Sequence, residues 1–143
     1  MKIVLQRVVR AEVRVGNQVV GQSGPGLLLL VGIEKGDTPE QVDAAADRVL
    51  QLRIFGDEER RMNRSCLDVR GDILAVPQFT LAATLRRGRR PSFENVAPGS
   101  SAEPLFLRFV ERMKATGLRV EAGSFGARMA VELINDGPVT FIL

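Results

Sequence analysis

From Val9 to Val15 the apolar residues Val9, Ala11, Val13 and Val15 alternate with Arg10, Glu12 and Arg14, a period of two that predicts a strand with one wet face. Gly16-Asn17 offers a turn, after which Val19-Val20 returns antiparallel. A second turn at Gly24-Pro25-Gly26 leads into the unbroken apolar run Leu27 to Ile33, which predicts a strand covered on both faces at the centre of the sheet. Thr38-Pro39-Glu40-Gln41 combines an N-cap, a proline at the first helical position and a capping-box glutamine. Val42, Ala45, Ala46, Val49 and Leu50 follow at helical spacing, so a helix starts there. A second helix is predicted from the same box pattern at Ser100 to Glu103. It carries Ala102, Phe106, Phe109, Val110 and Met113 on one face and stops at Gly117.

Between the helices, Ile73 to Val76 reads as a short strand ending at Pro77, which has no amide to donate, so Pro77-Gln78-Phe79-Thr80-Leu81 is expected to leave the sheet. Leu118 to Glu121, Met129 to Ile134 and Val139 to Leu143 predict three more strands, the last two joined by a turn at Asn135-Asp136-Gly137-Pro138. The order β-β-β-α-β-α-β-β-β predicts one layered α/β domain over residues 1–143, with a mixed sheet and two main helices.

Composition removes much familiar chemistry. The chain has no His, Trp or Tyr and one Cys, so a Ser-His-Asp triad, a Cys-His pair, a His-bearing zinc site and a four-thiolate site are all excluded. No metal and no cofactor are expected. Cys66 is expected to be an inert, reduced side chain, as in the cytosol. The apolar run within Met1 to Arg7 is too short for a signal peptide, and no window approaches the ~18–20 apolar residues of a membrane span. A soluble, cytoplasmic protein with no membrane partner is the expectation.

Net charge is only +3, yet Lys occurs just at Lys2, Lys35 and Lys114, leaving Arg to carry the basic side. Arg favours bidentate contact with phosphate and carboxylate. Arg86, Arg87, Arg89 and Arg90 surround Gly88, four like charges within five residues. A solvated loop and a nucleic-acid contact both remain open for that stretch.

At this point the residues carry a resemblance. Gln6-Arg7-Val8, Gly26-Leu27-Leu28, Arg53-Ile54-Phe55, Met62-Asn63, Gln78-Phe79-Thr80-Leu81, Arg90-Pro91-Ser92-Phe93 and Asn135-Asp136-Gly137-Pro138-Val139-Thr140 occur in an order and spacing that resemble the D-aminoacyl-tRNA deacylases nearly end to end. Two of these segments match the family signatures Ser-Gln-Phe-Thr-Leu and Asn-x-Gly-Pro-x-Thr. The first departs from its signature, since Pro77 stands where the family usually has Ser. A related class acting on misacylated L-alanyl-tRNA also has Pro there but continues Gln-Ala-Thr-Leu. Phe79 and Arg7 favour the D-specific reading.

The resemblance implies a barrel-like form of the sheet, a homodimer, aminoacyl-tRNA as substrate and no DNA partner. It also implies that Gly137 and Pro138 enter the partner subunit's pocket through a cis peptide bond, supported by Arg7 and Asn135. Two carbonyls there would hold the substrate ammonium and exclude L-amino acids by steric clash, while glycine, with no side chain, would pass.

The residues themselves suggest how an ester could be cleaved without His. Backbone amides around Phe79 and Thr80, next to Gln78, can supply an oxyanion site without any special side chain. Thr80 has no identifiable base, so the 2′-hydroxyl of the terminal adenosine is favoured as proton carrier over direct attack by Thr80. Phe79, Phe93 and Met129 are candidates to pack against the adenosine, and the four arginines to meet tRNA phosphates. Three alternatives stand beside this: a deacylase of L-alanyl-tRNA, a non-catalytic RNA-binding domain and a small-molecule hydrolase using Thr80.

Overall fold

The first strand does more than its alternation promised. In the computed structural model, which describes residues 1–85 and 88–143, β1 (Lys2–Val15) runs for 14 residues and touches three neighbours. Its first half pairs with β3 (Gly26–Gly32) and its second half with β2 (Gln18–Ser23), both antiparallel. The final strand, β8 (Ala130–Ile142), covers its other side.

A register irregularity at Val9 shifts which positions of β1 face inward. Val8 is buried before it, Ala11 and Val13 after it, while Val9 is left exposed. The strict period of two predicted for Val9 to Val15 therefore holds only beyond Arg10.

The run Leu27 to Ile33 forms the centre as expected. β3 lies between β1 and the parallel strand β6 (Asp72–Pro77), and β6 pairs in parallel with β7 (Val120–Ala122). β2 and β7 then meet at a seam that nearly closes a mixed barrel. Gln22 N donates to Glu121 Oε2 at 2.8 Å, and a Cβ at Gly21 would lie only 2.9 Å from the Ala122 carbonyl.

Alternate residues of β3 and β6 face two cores. Leu28, Leu74 and Val76 point into the barrel with Val8, Ala11 and Val13. Leu27, Leu29, Ile73 and Ala75 face outward against α1 (Pro39–Gln51) and α3 (Gly99–Lys114), where Phe106 and Phe109 are essentially dry. Burying side chains of that size stabilises the domain by roughly 2–3 kcal/mol each. The two helices are also bridged by bidentate pairs, Arg108 to Asp43 at 2.8 and 2.7 Å and Arg112 to Asp47 at 2.9 and 2.8 Å.

Capping follows the sequence at α1 and departs from it at α3. Thr38 and Gln41 form the full reciprocal box. α3 begins two residues early, at Gly99 after the N-cap position Pro98, so Ser100 falls inside the first turn and makes no cap. Its predicted apolar stripe is buried throughout.

Three corrections concern the element order. A two-stranded ribbon, β4 (Phe55–Gly56) and β5 (Met62–Arg64), and a third, four-residue helix α2 (Cys66–Val69) lie between α1 and β6. These pieces are too short to show a hydrophobic period. The two strands predicted at the end are one. Asn135 pairs with Val8 and Thr140 with Gln6, so the chain keeps its direction, and Asp136 to Val139 form a four-residue bulge opposite the single residue Arg7.

Candidate active site

Strands β3, β6 and β7 are parallel, so their carboxyl ends share one side of the sheet, where open α/β sheets place ligands. A cleft of about 430 Å³ lies there. Val31 near the end of β3 and Ile33 just after it, Val76 and Pro77 at the end of β6, and Met129 before β8 form its walls, with Ala97, Ala102 and Phe125 closing it from the α3 side.

Pro77 sits where its missing donor is harmless. Amides of alternate β6 residues point to opposite neighbours: Gln78 N donates to Val31 O at 2.8 Å, and Ile73 N to Arg119 O at 2.9 Å. Pro77 thus falls on the β7 side, where paired residues end at Ala75 and Ala122. Leaving the sheet at this point, the chain winds into a 3₁₀ turn, Phe79–Ala82. Gly32 makes room for that turn, since a Cβ there would stand 2.9 Å from both the Gln78 carbonyl oxygen and Leu81 Cβ.

Leu81 N donates to the Gln78 carbonyl at 3.2 Å and closes the turn. The amides of Phe79 and Thr80, the first two of the turn, find no hydrogen-bond partner among the described residues. Phe79 lines the cleft, and Thr80, next to it, is exposed. The Gln78 side chain lines the cleft too and donates from Nε2 to the Thr80 hydroxyl.

The predicted site residues fall into three groups. Gln78, Phe79 and Met129 line the cleft, and Phe93 reaches it through Phe79, their ring centroids 5.6 Å apart at 44°. Both residues are exposed, Phe79 at 59% and Phe93 at 46%. Arg89 and Arg90 are exposed on the loop closed by the Thr84–Ser92 bridge, while Arg86 and Arg87 lie outside the described residues.

Gly137 and Pro138 form the third group, with Arg7 and Asn135. They sit on the bulge of β8, joined by a cis peptide bond, and do not line this cleft. Asn135 Oδ1 accepts from Val139 N at 2.8 Å, and its Nδ2 donates to Thr140 Oγ1 at 3.0 Å. Arg7 Nη2 lies against Gly137, 3.1 Å from where a Cβ would be. Sequence reasoning missed the wall formed by Ala97, Ala102 and Phe125. The glycines flanking the third of these, at 123 and 126, were the only signal for it.

The chain matches a family of known proteins. The family described as D-Tyr-tRNA(Tyr) deacylase matches residues 4–143. A D-aminoacyl-tRNA deacylase of Symbiobacterium thermophilum (strain DSM 24528 / JCM 14929 / IAM 14863 / T) is 52% identical over 143 residues, covering 100% of this chain and 95% of the relative. Another from Xanthomonas campestris pv. campestris (strain 8004) is 54% identical over 145 residues, covering 100% and 99%. Among solved structures, the c-Myc DNA Unwinding Element Binding Protein superposes with a TM-score of 0.94 at 38% identity, covering 100% of this chain and 97% of that one. A probable eukaryotic D-amino acid tRNA deacylase shares the fold at a TM-score of 0.86 and 21% identity, covering 99% and 97%.

Fold, site and relatives together define a hydrolase of the D-aminoacyl-tRNA deacylase class. The chain belongs to the D-Tyr-tRNA(Tyr) deacylase family. Among the described residues, no helix is long and apolar enough to cross a membrane.

Proposed function

We propose that the cleft hydrolyses the ester between a D-amino acid and the terminal adenosine of tRNA, and that the domain of residues 1–143 does so as a homodimer. The observation that carries this reading is the pair of amides at Phe79 and Thr80, without a partner among the described residues, on the edge of an apolar cleft. Two such donors are what a developing oxyanion needs, and they require no side chain. Water adds to the ester carbonyl, and the amides hold the resulting oxyanion. The carbon–oxygen bond to the ribose then breaks as the vicinal 2′-hydroxyl relays the water's proton to the leaving 3′-oxygen. In this reading water attacks in preference to Thr80, whose hydroxyl accepts from Gln78 Nε2 and meets no base among the described residues.

In this reading Gly137 and Pro138 serve a second copy of the chain. The bulge that carries them is exposed and stands apart from its own cleft, flanked by exposed Ile134, Phe141 and Ile142. That apolar surface suits a second copy. Inserted into the partner's cleft, the two carbonyls take the substrate ammonium. An L side chain then meets the bulge, and glycine, having none, is also hydrolysed. Phe79, Phe93 and Met129 pack against the adenosine, and Arg89 and Arg90 meet phosphates. The nucleic acid is tRNA and not DNA, because the relay needs the 2′-hydroxyl.

The test is hydrolysis of matched D- and L-tyrosyl-tRNA with chelator present and a Thr80→Ala variant alongside. Loss of only the D-ester, retained in the variant, is the expected result. Loss of neither overturns the reading and directs attention to L-alanyl-tRNA. Tight tRNA binding without any hydrolysis points to a binding domain, and turnover of a simple ester that depends on Thr80 to a small-molecule hydrolase.

A further inference from the structure

Gly123 follows the last residue of β7 and donates its amide to the Ala75 carbonyl at 2.9 Å. Its φ lies outside the left-handed range that favours glycine, so backbone conformation does not explain the residue. Space does. A Cβ at 123 would stand 2.8 Å from Met129 Sδ, 3.4 Å from Pro77 Cδ and 3.5 Å from Val76 Cγ1. All three neighbours line the cleft, while Gly123 itself does not.

We infer that Gly123 is a positioning residue that sets the width of the cleft by giving the Met129 thioether a place to lie. This rests on the function proposed above for the cleft. Of the three contacts only Met129 can yield readily, since Sδ is near the end of a flexible chain whereas Pro77 and Val76 belong to a strand. Met129 also packs against the barrel core that holds Val8, Leu28 and Leu74, whose close-packed side chains resist displacement. The open direction is the cleft. A methyl group at 123 therefore moves the thioether into the cleft that Phe79 also lines. A narrower cleft weakens ground-state and transition-state binding together, which raises KM and leaves kcat nearly unchanged.

The experiment is a cycle of Gly123→Ala, Met129→Ala and the double variant, with kcat and KM measured on D-tyrosyl-tRNA and folding followed by thermal melts. Gly123→Ala is expected to raise KM roughly three- to tenfold with kcat within about twofold. In the Met129→Ala background the same change is expected to raise KM less than about twofold. An unchanged KM in the single variant, or an equal penalty in both backgrounds, overturns the inference. Should Gly123→Ala fail to fold, the double variant must fold, because the obstructing atom is gone; its failure would show that the backbone itself requires glycine. A second readout does not depend on activity. In protein labelled with 13C-methyl methionine, the Met129 signal, assigned by Met129→Leu, must shift in Gly123→Ala. An unmoved signal overturns the positioning role, whereas a moved signal in a protein that hydrolyses neither ester leaves it standing and removes the proposed activity.

Discussion

The Arg7 guanidinium stands 2.9 Å from the Asp136 carboxylate, at the base of the bulge that carries Gly137 and Pro138. Its Nε is not aligned with that carboxylate for a hydrogen bond, so the contact acts through charge. Nη1 donates instead to the Ile54 carbonyl at 2.6 Å. One side chain on β1 thereby joins the chain before β4 to the bulge of β8. Four bulged residues face Arg7 alone, and without a partner that loop would have only the Asn135 clamp to hold it.

Arg7→Met is expected to lower stability by about 1–3 kcal/mol, because it leaves the Ile54 carbonyl without its donor and Asp136 without its counter-charge. Its effect on kcat/KM for D-tyrosyl-tRNA should exceed tenfold under conditions where the variant is fully folded. Arg7→Lys, which keeps the charge and loses the fork, should fall between. Urea melts and steady-state kinetics check both, and wild-type activity in folded Arg7→Met would rule out a role for Arg7 in holding the bulge for catalysis.

The Phe79 amide at the head of the 3₁₀ turn can be removed separately from its side chain. Phe79→Ala and Thr80→Ala keep the backbone donors and should retain activity within about tenfold. Phe79→Pro deletes one donor at the first position of the turn, where proline is tolerated, and should cost about 10²–10³ in kcat. Equal losses in Phe79→Pro and Phe79→Ala would mean that the ring, and not the amide, is what matters.

How far the sequence disclosed this site depends on the kind of signal each part carries. The central strand, both long helices and the exit of the chain at Pro77 were legible, because an apolar run, an i, i+3, i+4 stripe and a residue without an amide are local features. The bulge at Asp136 to Val139 was not. Asn-Asp-Gly-Pro has the composition of a hairpin turn, and only its pairing with the distant β1 shows that the strand continues. The same holds for the cleft wall at Phe125 and for Gly123, whose meaning lies in the atoms of Met129 and Pro77 beside it. Gln78 and Phe79, from a segment that matches the family pattern, and Met129, named as an apolar candidate to pack against the adenosine, meet in one cleft.

Neutralising Arg89 and Arg90 together should raise KM for D-tyrosyl-tRNA more than it lowers kcat. Each phosphate contact releases counterions, so the variant should also flatten the slope of log affinity against log salt by roughly 1–2. Titration of uncharged tRNA at several salt concentrations measures this. A parallel line at lower affinity would place these arginines away from the phosphates.

Cys66 opens α2 and is fully buried, with Sγ donating to the Gly71 carbonyl at 3.5 Å. Burial is the main reason its thiol is pushed up to about 12. The folded protein should therefore resist iodoacetamide at pH 8 and react only on unfolding. The linkage has a definite sign: the raised pKa favours the folded state at pH values below the ordinary thiol range, and this contribution is lost as pH rises toward about 12. Alkylation followed by mass spectrometry, with and without denaturant, distinguishes this from a reactive thiol.

The paired helices give the opposite dependence at acid pH. Hydrogen bonds from Arg108 to Asp43 and from Arg112 to Asp47, reinforced by the charges of the same arginines, hold both carboxyls below the ordinary range. A depressed pKa contributes stability that is present above the unfolded value, about 3.9 for Asp, and is lost as pH falls through the lower folded value. Asp43→Asn/Asp47→Asn should accordingly melt below wild type at pH 7. The gap should close as pH is lowered past 4, since protonation then removes from wild type the same charges that the substitutions remove. It should also shrink in high salt at pH 7, because both pairs are solvent-exposed and screened. A melting difference that stayed constant from pH 7 to the acid limit would mean that the carboxylates act through packing between α1 and α3 and not through their charge.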